Sequence, residues 1–560
     1  MSTIALVRAP AVSPSPETRK PWRAGAVAVV AGTGLLTWHA SYYGSWLVDD
    51  AAITFAYARS FTEGLGPVVH PGAAQVEGYS NPAWLLLLAL GRLFGVFDRG
   101  TLFGIPDYVV FPKAMAALCC AGILAACFTV ARRVSTRPAL ITLLIGGALA
   151  AVPSFVVWCF SGLENPLFAL AVVGLAALLF HAQLDFRLDT RKVAVLAGGL
   201  AALAALTRPD GLIYLLAYPA VLALCLRRGL KLALVSFAAF AVPFGGYLIW
   251  RVLTFGILVP NTAVAKKQGF PLPTDLVRLD PVVLYVGTPM VAVFAGLVYL
   301  SLHRPQWFSG GFPALGVTWA LSVLAYAALE PDWMAQFRFA TPIWAMSALI
   351  GVIAAAKAVV NLGRRLVTIA VIAVATFTAG AGFVGSAREF HDKPTFHMCQ
   401  VAERYGRMVN QYADILGLEK AGLLAPDLGG LAMTTRLYVV DLAGLADATI
   451  AKYTREDDKA GLRDYIFDQV KPTFIVSHGI WNGGTGVALD PRIERDYHPI
   501  YRHLEANDWV RKDAVTDLDK LAAVREYASQ AVPVVDQRIQ DLPRRSCGET
   551  LRAGQVNGAR

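Results

Sequence analysis

Two adjacent carboxylates, Asp49 and Asp50, stand directly after the first long apolar run of this 560-residue chain. They belong to the stretch Trp46-Leu47-Val48-Asp49-Asp50-Ala51-Ala52-Ile53-Thr54-Phe55-Ala56-Tyr57-Ala58-Arg59. An acidic pair at a helix start can simply cap free backbone amides. Here the pair is followed by Glu63-Gly64-Leu65-Gly66-Pro67 and then by Val76-Glu77-Gly78-Tyr79-Ser80-Asn81-Pro82. One loop thus gathers acids of the kind that serve as a general base on a hydroxyl or help hold a divalent cation.

Further charged groups interrupt apolar sequence. They lie in Ser161-Gly162-Leu163-Glu164-Asn165-Pro166, Thr207-Arg208-Pro209-Asp210-Gly211, Pro260-Asn261-Thr262-Ala263-Val264-Ala265-Lys266-Lys267 and Asp332-Trp333-Met334-Ala335-Gln336-Phe337-Arg338-Phe339. Charge at membrane depth is costly and points to function by default. Arg208, Lys266 and Arg338 suit the grip of a lipid-linked phosphate, the arginines offering a two-pronged hold. Tyr57, Arg59, Glu164, Asn261, Asp332 and Trp333 are candidates to touch the rest of a substrate. The plainer alternatives are an Arg–Asp pair that packs two helices and lysines that meet lipid headgroups.

What must position these groups is a set of membrane helices. The chain is 56% hydrophobic and 16% charged, against about 25% charged in soluble proteins. Its solvent is lipid. A span takes roughly 20 apolar residues. Such runs recur at residues 24–44, 114–131, 167–179, 193–206, 212–226, 232–253, 282–302, 314–329, 342–356 and 366–384, with shorter ones at 83–94 and 140–160. They are apolar most of the way round, as lipid-facing bundles are. The net charge of +10 is not a nucleic-acid signal, because the basic residues sit in short loops between runs, where they set orientation.

Those loops place the tail 1–23 (Arg8, Arg19, Lys20, Arg23) in the cytoplasm, with Arg227/Arg228/Lys231, His303/Arg304 and Arg364/Arg365. Residues 48–81, 207–211, 259–280, 330–339 and everything from about 385 onward then lie outside. The number of spans is odd. It is eleven if 83–94 only dips into the membrane and thirteen if it crosses, and Arg132/Arg133 are cytoplasmic only in the first case. Beyond 385, short apolar runs at 423–425, 437–442 and 473–476 alternate with charged helical stretches at 402–416 and 517–530, the pattern of a small α/β domain. Five of the seven cysteines lie in or beside apolar runs. Cys399 and Cys547 are in the last domain and can pair if it faces an oxidising compartment. The first apolar run has no convincing cleavage site and reads as an anchor.

The segment from Asp49 to Trp84 resembles the first periplasmic loop of the GT-C membrane glycosyltransferases, which take a sugar from a polyprenyl-phosphate donor. More narrowly, Asp49-Asp50, Gly64-x-Gly66-Pro67, Val76-Glu77, Ser161-Gly162-Leu163-Glu164, Arg208-Pro209-Asp210 and Val259-Pro260-Asn261-Thr262-Ala263-x-Ala265-Lys266 look like the actinobacterial terminal (β-1,2) arabinofuranosyltransferases. Asp332-Trp333, Phe337-Arg338-Phe339 and Val440-Asp441-Leu442-x-Gly444-Leu445-x-Asp447 are similar to the same broader group. The run Gly78-Tyr79-Ser80-Asn81 departs from the mycobacterial pattern. The likeness extends from about Trp46 to Asp447, and its specificity lies in order and spacing.

The resemblance implies a polytopic α-helical membrane protein of GT-C type, with about 11–13 transmembrane helices over residues 24–385, an outer catalytic loop at 47–82 and a C-terminal extracytoplasmic α/β domain at 386–560. It implies transfer of a sugar, with arabinofuranose from decaprenyl phosphate favoured, to a cell-envelope glycan at the outer face of the plasma membrane. The partners are the lipid donor, the glycan acceptor and membrane lipid, with no nucleic acid. Asp49 takes the role of the essential acid, Asp50 stands second, and Glu77 falls near a second active-site acid. Arg208, Lys266 and Arg338 contact the donor phosphate. The need for a divalent cation is left open. The alternative is a transporter or flippase of a lipid-linked sugar. It accounts for the spans, but not for three acids in the first loop or for a sizeable outer domain, and the chain shows no inverted repeat.

Overall fold

The computed structural model describes residues 20–226, 229–267, 269, 278–330, 332–503, 506–539, 547–548 and 550. The tail to residue 19 and the pair Arg227/Arg228, both expected in the cytoplasm, lie outside the described residues. The apolar runs are helices. In chain order they are α1 (Lys20–Ser41), α2 (Asp49–Thr62), α3 (Pro82–Leu93), α4 (Asp107–Val134), α5 (Pro138–Ala151), α6 (Pro153–Cys159), α7 (Asn165–Leu184) and α8 (Arg191–Thr207). A 3-10 turn, Pro209–Leu216, then leads into α9 (Ala217–Leu226), followed by α10 (Leu230–Phe255), α11 (Asn261–Ala265), α12 (Asp280–Val286), α13 (Thr288–His303), α14 (Phe312–Ala328), α15 (Thr341–Asn361) and α16 (Arg365–Asp392). A two-stranded hairpin, β1 (Thr101–Leu102) and β2 (Ile105–Pro106), precedes α4. Proline in the first turn opens α3, α5, α6, α7, α14 and α15. Its missing N–H and fixed φ cost nothing there.

Among the described residues, seven helices are long and apolar enough to cross a membrane, and two bent pairs bring the number to nine. The pairs are α5 with α6, bent by 85°, and α12 with α13, bent by 100°. Helices α8 and α14, of 17 residues each, sit at the lower limit of length for a span. Helix α3 has 12 residues and a length of about 18 Å. That is too short for a hydrocarbon core of about 30 Å. The 83–94 run is by itself too short to cross. Arg132 and Arg133 at the end of α4 lie at the same end of the bundle as His303, where the Ser309 hydroxyl meets the Arg133 carbonyl at 3.4 Å. Small residues allow close packing of the spans. A side chain at Gly146 of α5 would place its Cβ 2.8 Å from the Gly32 Cα of α1.

After α16 the chain forms the expected α/β domain. Strands β3 (Gly422–Ala425), β4 (Tyr438–Asp441) and β5 (Phe474–Ser477) coincide with the three short apolar runs, and they are parallel. The antiparallel pair β6 (Tyr497–His503) and β7 (Ala506–Arg511), not singled out in the sequence, completes a sheet of order β4-β3-β5-β7-β6. Successive strand residues face opposite sides. Leu423, Ala425, Phe474 and Val476 join the core shared with the membrane bundle, whereas Leu424, Val440, Ile475 and Trp509 form a separate core on the far face. The helix Leu518–Ile539 covers the near face through Leu521, Val524 and Ala528.

The domain is strapped to the bundle beside α2. The Asp49 amide donates to the Phe396 carbonyl at 3.0 Å, and the Met398 amide donates to the Leu47 carbonyl at 3.0 Å. Trp46 Nε1 donates to the Thr395 carbonyl at 2.9 Å. Cys399 and Cys547 form a disulfide. Beyond it, the Tyr108 hydroxyl donates to the Gly548 carbonyl at 2.8 Å and the Thr550 hydroxyl to Asp98 at 2.6 Å.

Candidate active site

The loops that join the spans at one end of the bundle surround a cavity of about 170 Å³. Its wall takes Asp50, Ile53 and Thr54 from the first turns of α2, the run Gly78–Asn81 ahead of α3, and Glu164 at the start of α7. Arg208 and Asp210 come from the junction after α8, Lys266 from the end of α11, and Arg338 with Phe339 from the turn before α15. Leu445 of the α/β domain forms part of the rim. All four interrupted motifs and the acidic loop thus converge, although they lie up to nearly 300 residues apart in sequence.

The lining carries three cations and three carboxylates, and their pairing is uneven. Arg208 is buried and doubly held: Nε donates to Asp210 at 2.9 Å and Nη1 to Glu164 at 3.2 Å. Glu164 is fixed in turn by Asn81, whose Nδ2 donates to it at 2.7 Å. Arg338 pairs along one edge with Asp332, with Nε 2.8 Å and Nη2 3.2 Å from its oxygens. Its Nη1 turns the other way, 3.6 Å from Asp50 Oδ2. Lys266 Nζ lies 3.9 Å from the same oxygen and is 46% exposed. The Phe339 ring packs against both guanidinium groups, 4.5 Å from Arg208 and 4.7 Å from Arg338, a cation–π contact that holds both planes.

The turn that presents Arg338 is strained. Gln336 and Phe337 both have positive φ, 63° and 52°, a region that costs non-glycine residues roughly 1 kcal/mol or more each. The surroundings hold it. Trp158 Nε1 donates to the Gln336 carbonyl at 2.9 Å, Ser154 Oγ to the same carbonyl at 2.6 Å, and Asn165 Nδ2 to the Arg338 carbonyl at 2.8 Å. Lys266 depends on the α/β domain. Asn261, five residues earlier, donates from Nδ2 to the Gly444 and Leu445 carbonyls at 2.7 and 2.9 Å, and Lys267 pairs with Asp457 at 3.3 Å.

The two aspartates of the pair part company. Asp49 does not line the cavity. Its side chain is buried, and its oxygens accept from the Gly429 amide at 3.0 Å and the Gly430 amide at 2.7 Å. Glycine is required at both contacts: a Cβ on Gly429 would fall against the Asp49 carbonyl, and one on Gly430 against the Met398 carbonyl at 2.2 Å. Burial, reinforced by the nearby Asp427 charge, holds the Asp49 carboxyl well above its ordinary range, against the pull of the two amides. The sequence ranked Asp49 first and Asp50 second; the structure brings Asp50, and not Asp49, to the cavity wall. Neighbours on a helix point about 100° apart, and Asp50 is the one that faces the cavity.

Glu77 is likewise held away from the cavity. It is fully buried and held by Arg251, with Nε 2.6 Å from Oε2 and Nη2 3.0 Å from Oε1, and by the Tyr247 hydroxyl. It ties the first loop to α10 and does not line the cavity. Tyr57 donates to the Val76 carbonyl at 2.6 Å and accepts from the Gly78 amide, so it shapes the loop from behind. Arg59 is taken up by Asp98 in a two-pronged pair at 2.8 Å, with Arg92 joining at 3.2 Å. Asn261 is the strap described above. Trp333 is 63% exposed and lines neither this cavity nor the adjoining one. Asn81, Asn165, Asp210 and Phe339 complete the site without having been singled out. The signal for each was its place inside a polar interruption of apolar sequence.

A second cavity, of about 320 Å³, adjoins the first through Leu329, Arg338 and Phe339. Pro281, Tyr326, Met334 and Phe337 make its wall largely apolar, and Arg278, Glu330 and Asp332 add charge. Among the described residues no group of three or more His, Cys, Asp or Glu side chains converges as a metal site. Asp49 is occupied by two amides and Asp50 faces two cations, so this acidic pair does not fit a divalent cation.

No protein-family model matches the chain. Over 299 residues it is 31% identical to the terminal β-(1→2)-arabinofuranosyltransferase of Mycobacterium tuberculosis, a match that takes in 50% of this chain and 44% of that one. The match thus spans less than half the length of that relative. In structure the chain is similar to ArnT from Cupriavidus metallidurans. The TM-score is 0.57 to the apo state, with 14% identity over 90% of this chain and 100% of that one. It is 0.54 to the form bound to undecaprenyl phosphate, with 15% identity over 90% and 99%. At such identities the likeness is one of fold. The multi-pass helical fold with a C-terminal α/β domain, expected from the sequence, is thereby shown.

Proposed function

We propose that the chain is a glycosyltransferase that moves a sugar, arabinofuranose in the favoured reading, from a polyprenyl-phosphate donor to a cell-envelope glycan at the outer face of the plasma membrane. The observation that carries this reading is the Asp50 carboxylate beside Arg338 and Lys266 at the mouth of a bundle that offers an adjoining, largely apolar cavity. The similarity to an arabinofuranosyltransferase over half of the chain supports the sugar, and the fold shared with ArnT bound to undecaprenyl phosphate supports the lipid carrier.

In this reading the donor phosphate sits against Arg338 and Lys266, its sugar lies toward Asp50, and the first isoprene units enter the larger cavity. An acceptor hydroxyl is a poor nucleophile near neutral pH, so its proton leaves as the new bond forms. Asp50 takes that proton. The acceptor oxygen bonds to the anomeric carbon, and the bond from that carbon to the phosphate oxygen breaks, leaving its electron pair on the phosphate. The products are the lengthened glycan and the polyprenyl monophosphate. The cations stabilise charge that develops on the departing phosphate, and this is where preorganised electrostatics lower a barrier most. The Cys399–Cys547 disulfide fits an extracytoplasmic location for the α/β domain.

The test is an assay of purified protein with a panel of polyprenyl-phosphate sugars and a short arabinan or mannan acceptor. Transfer from decaprenyl-phosphate arabinofuranose supports the whole reading. Transfer from another polyprenyl-phosphate sugar keeps the reaction class and changes the sugar. Absence of transfer from any of them, with folded protein, rejects the reading.

A further inference from the structure

Of the three cations in the cavity wall, two face one and the same carboxylate oxygen at long range. Arg208 is paired at close range with Glu164 at 3.2 Å and Asp210 at 2.9 Å. Arg338 is saturated on one edge by Asp332 at 2.8 Å, but its Nη1 stands 3.6 Å from Asp50 Oδ2. Lys266 Nζ stands 3.9 Å from that same oxygen, in the more exposed part of the wall. Asp50 is thus an anion that two cations share at the edge of contact distance. The remaining carboxylates are bound at close range.

We propose that Asp50 and the lipid phosphate compete for Arg338 and Lys266, and that proton uptake by Asp50 hands both cations to the departing phosphate. This rests on the glycosyltransfer reading above and adds a coupling to it. As the anomeric bond breaks, the phosphodiester of the donor, with one negative charge, becomes a monoester that carries nearly two. At the same moment the acceptor proton neutralises Asp50. The carboxylate charge lost and the phosphate charge gained face the same pair of cations, so the charge held by that pair stays balanced through the step. The stabilisation is then greater after the proton has moved than before it, which is the condition for catalysis. Asp50 is in this sense both the base and the gate on the phosphate site. Arg338 can serve two anions in turn because Asp332 fixes its orientation from the far edge.

The consequence is opposite to what a phosphate-binding or metal-binding role for Asp50 requires. The variant Asp50→Asn imitates the protonated carboxyl. It should bind decaprenyl monophosphate, in nanodiscs of neutral lipid, about two- to fivefold more tightly than the wild type, the range of an ion pair at a partly exposed site. Asp50→Ala should do the same if the cause is the lost charge and not a new amide contact. In a Lys266→Ala background the gain should shrink, because one of the contested cations is gone. Equal or weaker binding by Asp50→Asn and Asp50→Ala, with wild-type binding intact, overturns the competition. Failure of the wild type to bind decaprenyl monophosphate at all overturns the donor reading, and this inference with it. Inorganic phosphate serves as the control that separates the anion from the lipid: a gain seen with both probes assigns it to the phosphate site, and a gain seen with neither rejects it.

Discussion

Asp49 Oδ1 lies 2.7 Å from the amide nitrogen of Gly430, across 381 residues of sequence. This contact joins the first helix after α1 to the α/β domain, and it leaves the next residue, Asp50, directed at the cavity. One acid of the pair holds the two parts of the protein together, and the other faces the cavity.

The two aspartates should therefore fail differently. Asp49→Ala leaves two buried amides without acceptors, which costs about 1–3 kcal/mol. It should lower the thermal unfolding midpoint and reduce turnover only through displacement of its neighbour. Asp50→Asn should leave the midpoint nearly unchanged and lower kcat by about 10²–10⁴-fold, the usual range for loss of a general base. Paired measurements of melting and turnover check both. Equal turnover losses in Asp49→Ala and Asp50→Asn at unchanged stability would show that both acids act in the reaction.

Arg208 and Lys266 separate in the same way. Removing Arg208 leaves Glu164 and Asp210 as uncompensated buried charges, and breaking such a pair from one side costs about 3–5 kcal/mol. Arg208→Ala should thus yield little folded protein in detergent. Lys266 is 46% exposed and anchors nothing by its side chain. Lys266→Ala should keep the melting midpoint and weaken decaprenyl monophosphate binding by about tenfold, a charge-assisted contact of roughly 1.5 kcal/mol. Binding titrations alongside thermal unfolding decide this.

The loop of Asp441 gives a pH dependence. Burial pushes its carboxyl up to about 7, although the Ala443 and Ala446 amides favour the charged form. The unfolded chain releases this proton near pH 4, whereas the folded one keeps it until about 7. Stability from this group is full below the unfolded value, falls as pH rises toward 7, and is level above. Asp441→Asn cannot ionise. Its stability relative to wild type should rise between pH 4 and 7 and stay flat beyond. Chemical unfolding of both proteins at several pH values reads this difference directly.

Orientation is open to a direct check. A reporter fused after the α/β domain should be active only outside the cytoplasm, and Cys399 and Cys547 should resist a thiol reagent until they are reduced. Cytoplasmic reporter activity, or free thiols in both positions, would move the cavity to the other side of the membrane.

The sequence by itself determined the solvent and the layout. Its low charge and recurrent runs of about 20 apolar residues required a helical bundle, because a continuous apolar run of that length satisfies its own backbone in lipid as a helix, whereas barrel strands alternate. The shift to charged sequence after residue 385 marked the α/β domain, and three short apolar runs marked β3, β4 and β5. The polar interruptions marked Asp50, Glu164, Arg208, Lys266 and Arg338, all of which line one cavity. Tertiary structure alone decided which charges are committed to one another. Asp49 and Asp50 are alike in composition, and only the approach of Gly429 and Gly430 from the distant domain separates them. Glu77, Arg59 and Asn261 looked as available as the cavity residues until Arg251, Asp98 and the Gly444 carbonyl were brought against them. The physical reason is that a polar interruption in apolar sequence reports only that a charge has been carried to membrane depth. Whether that charge is neutralised there by a partner or left for a substrate depends on contacts between residues hundreds of positions apart, and local sequence does not encode them.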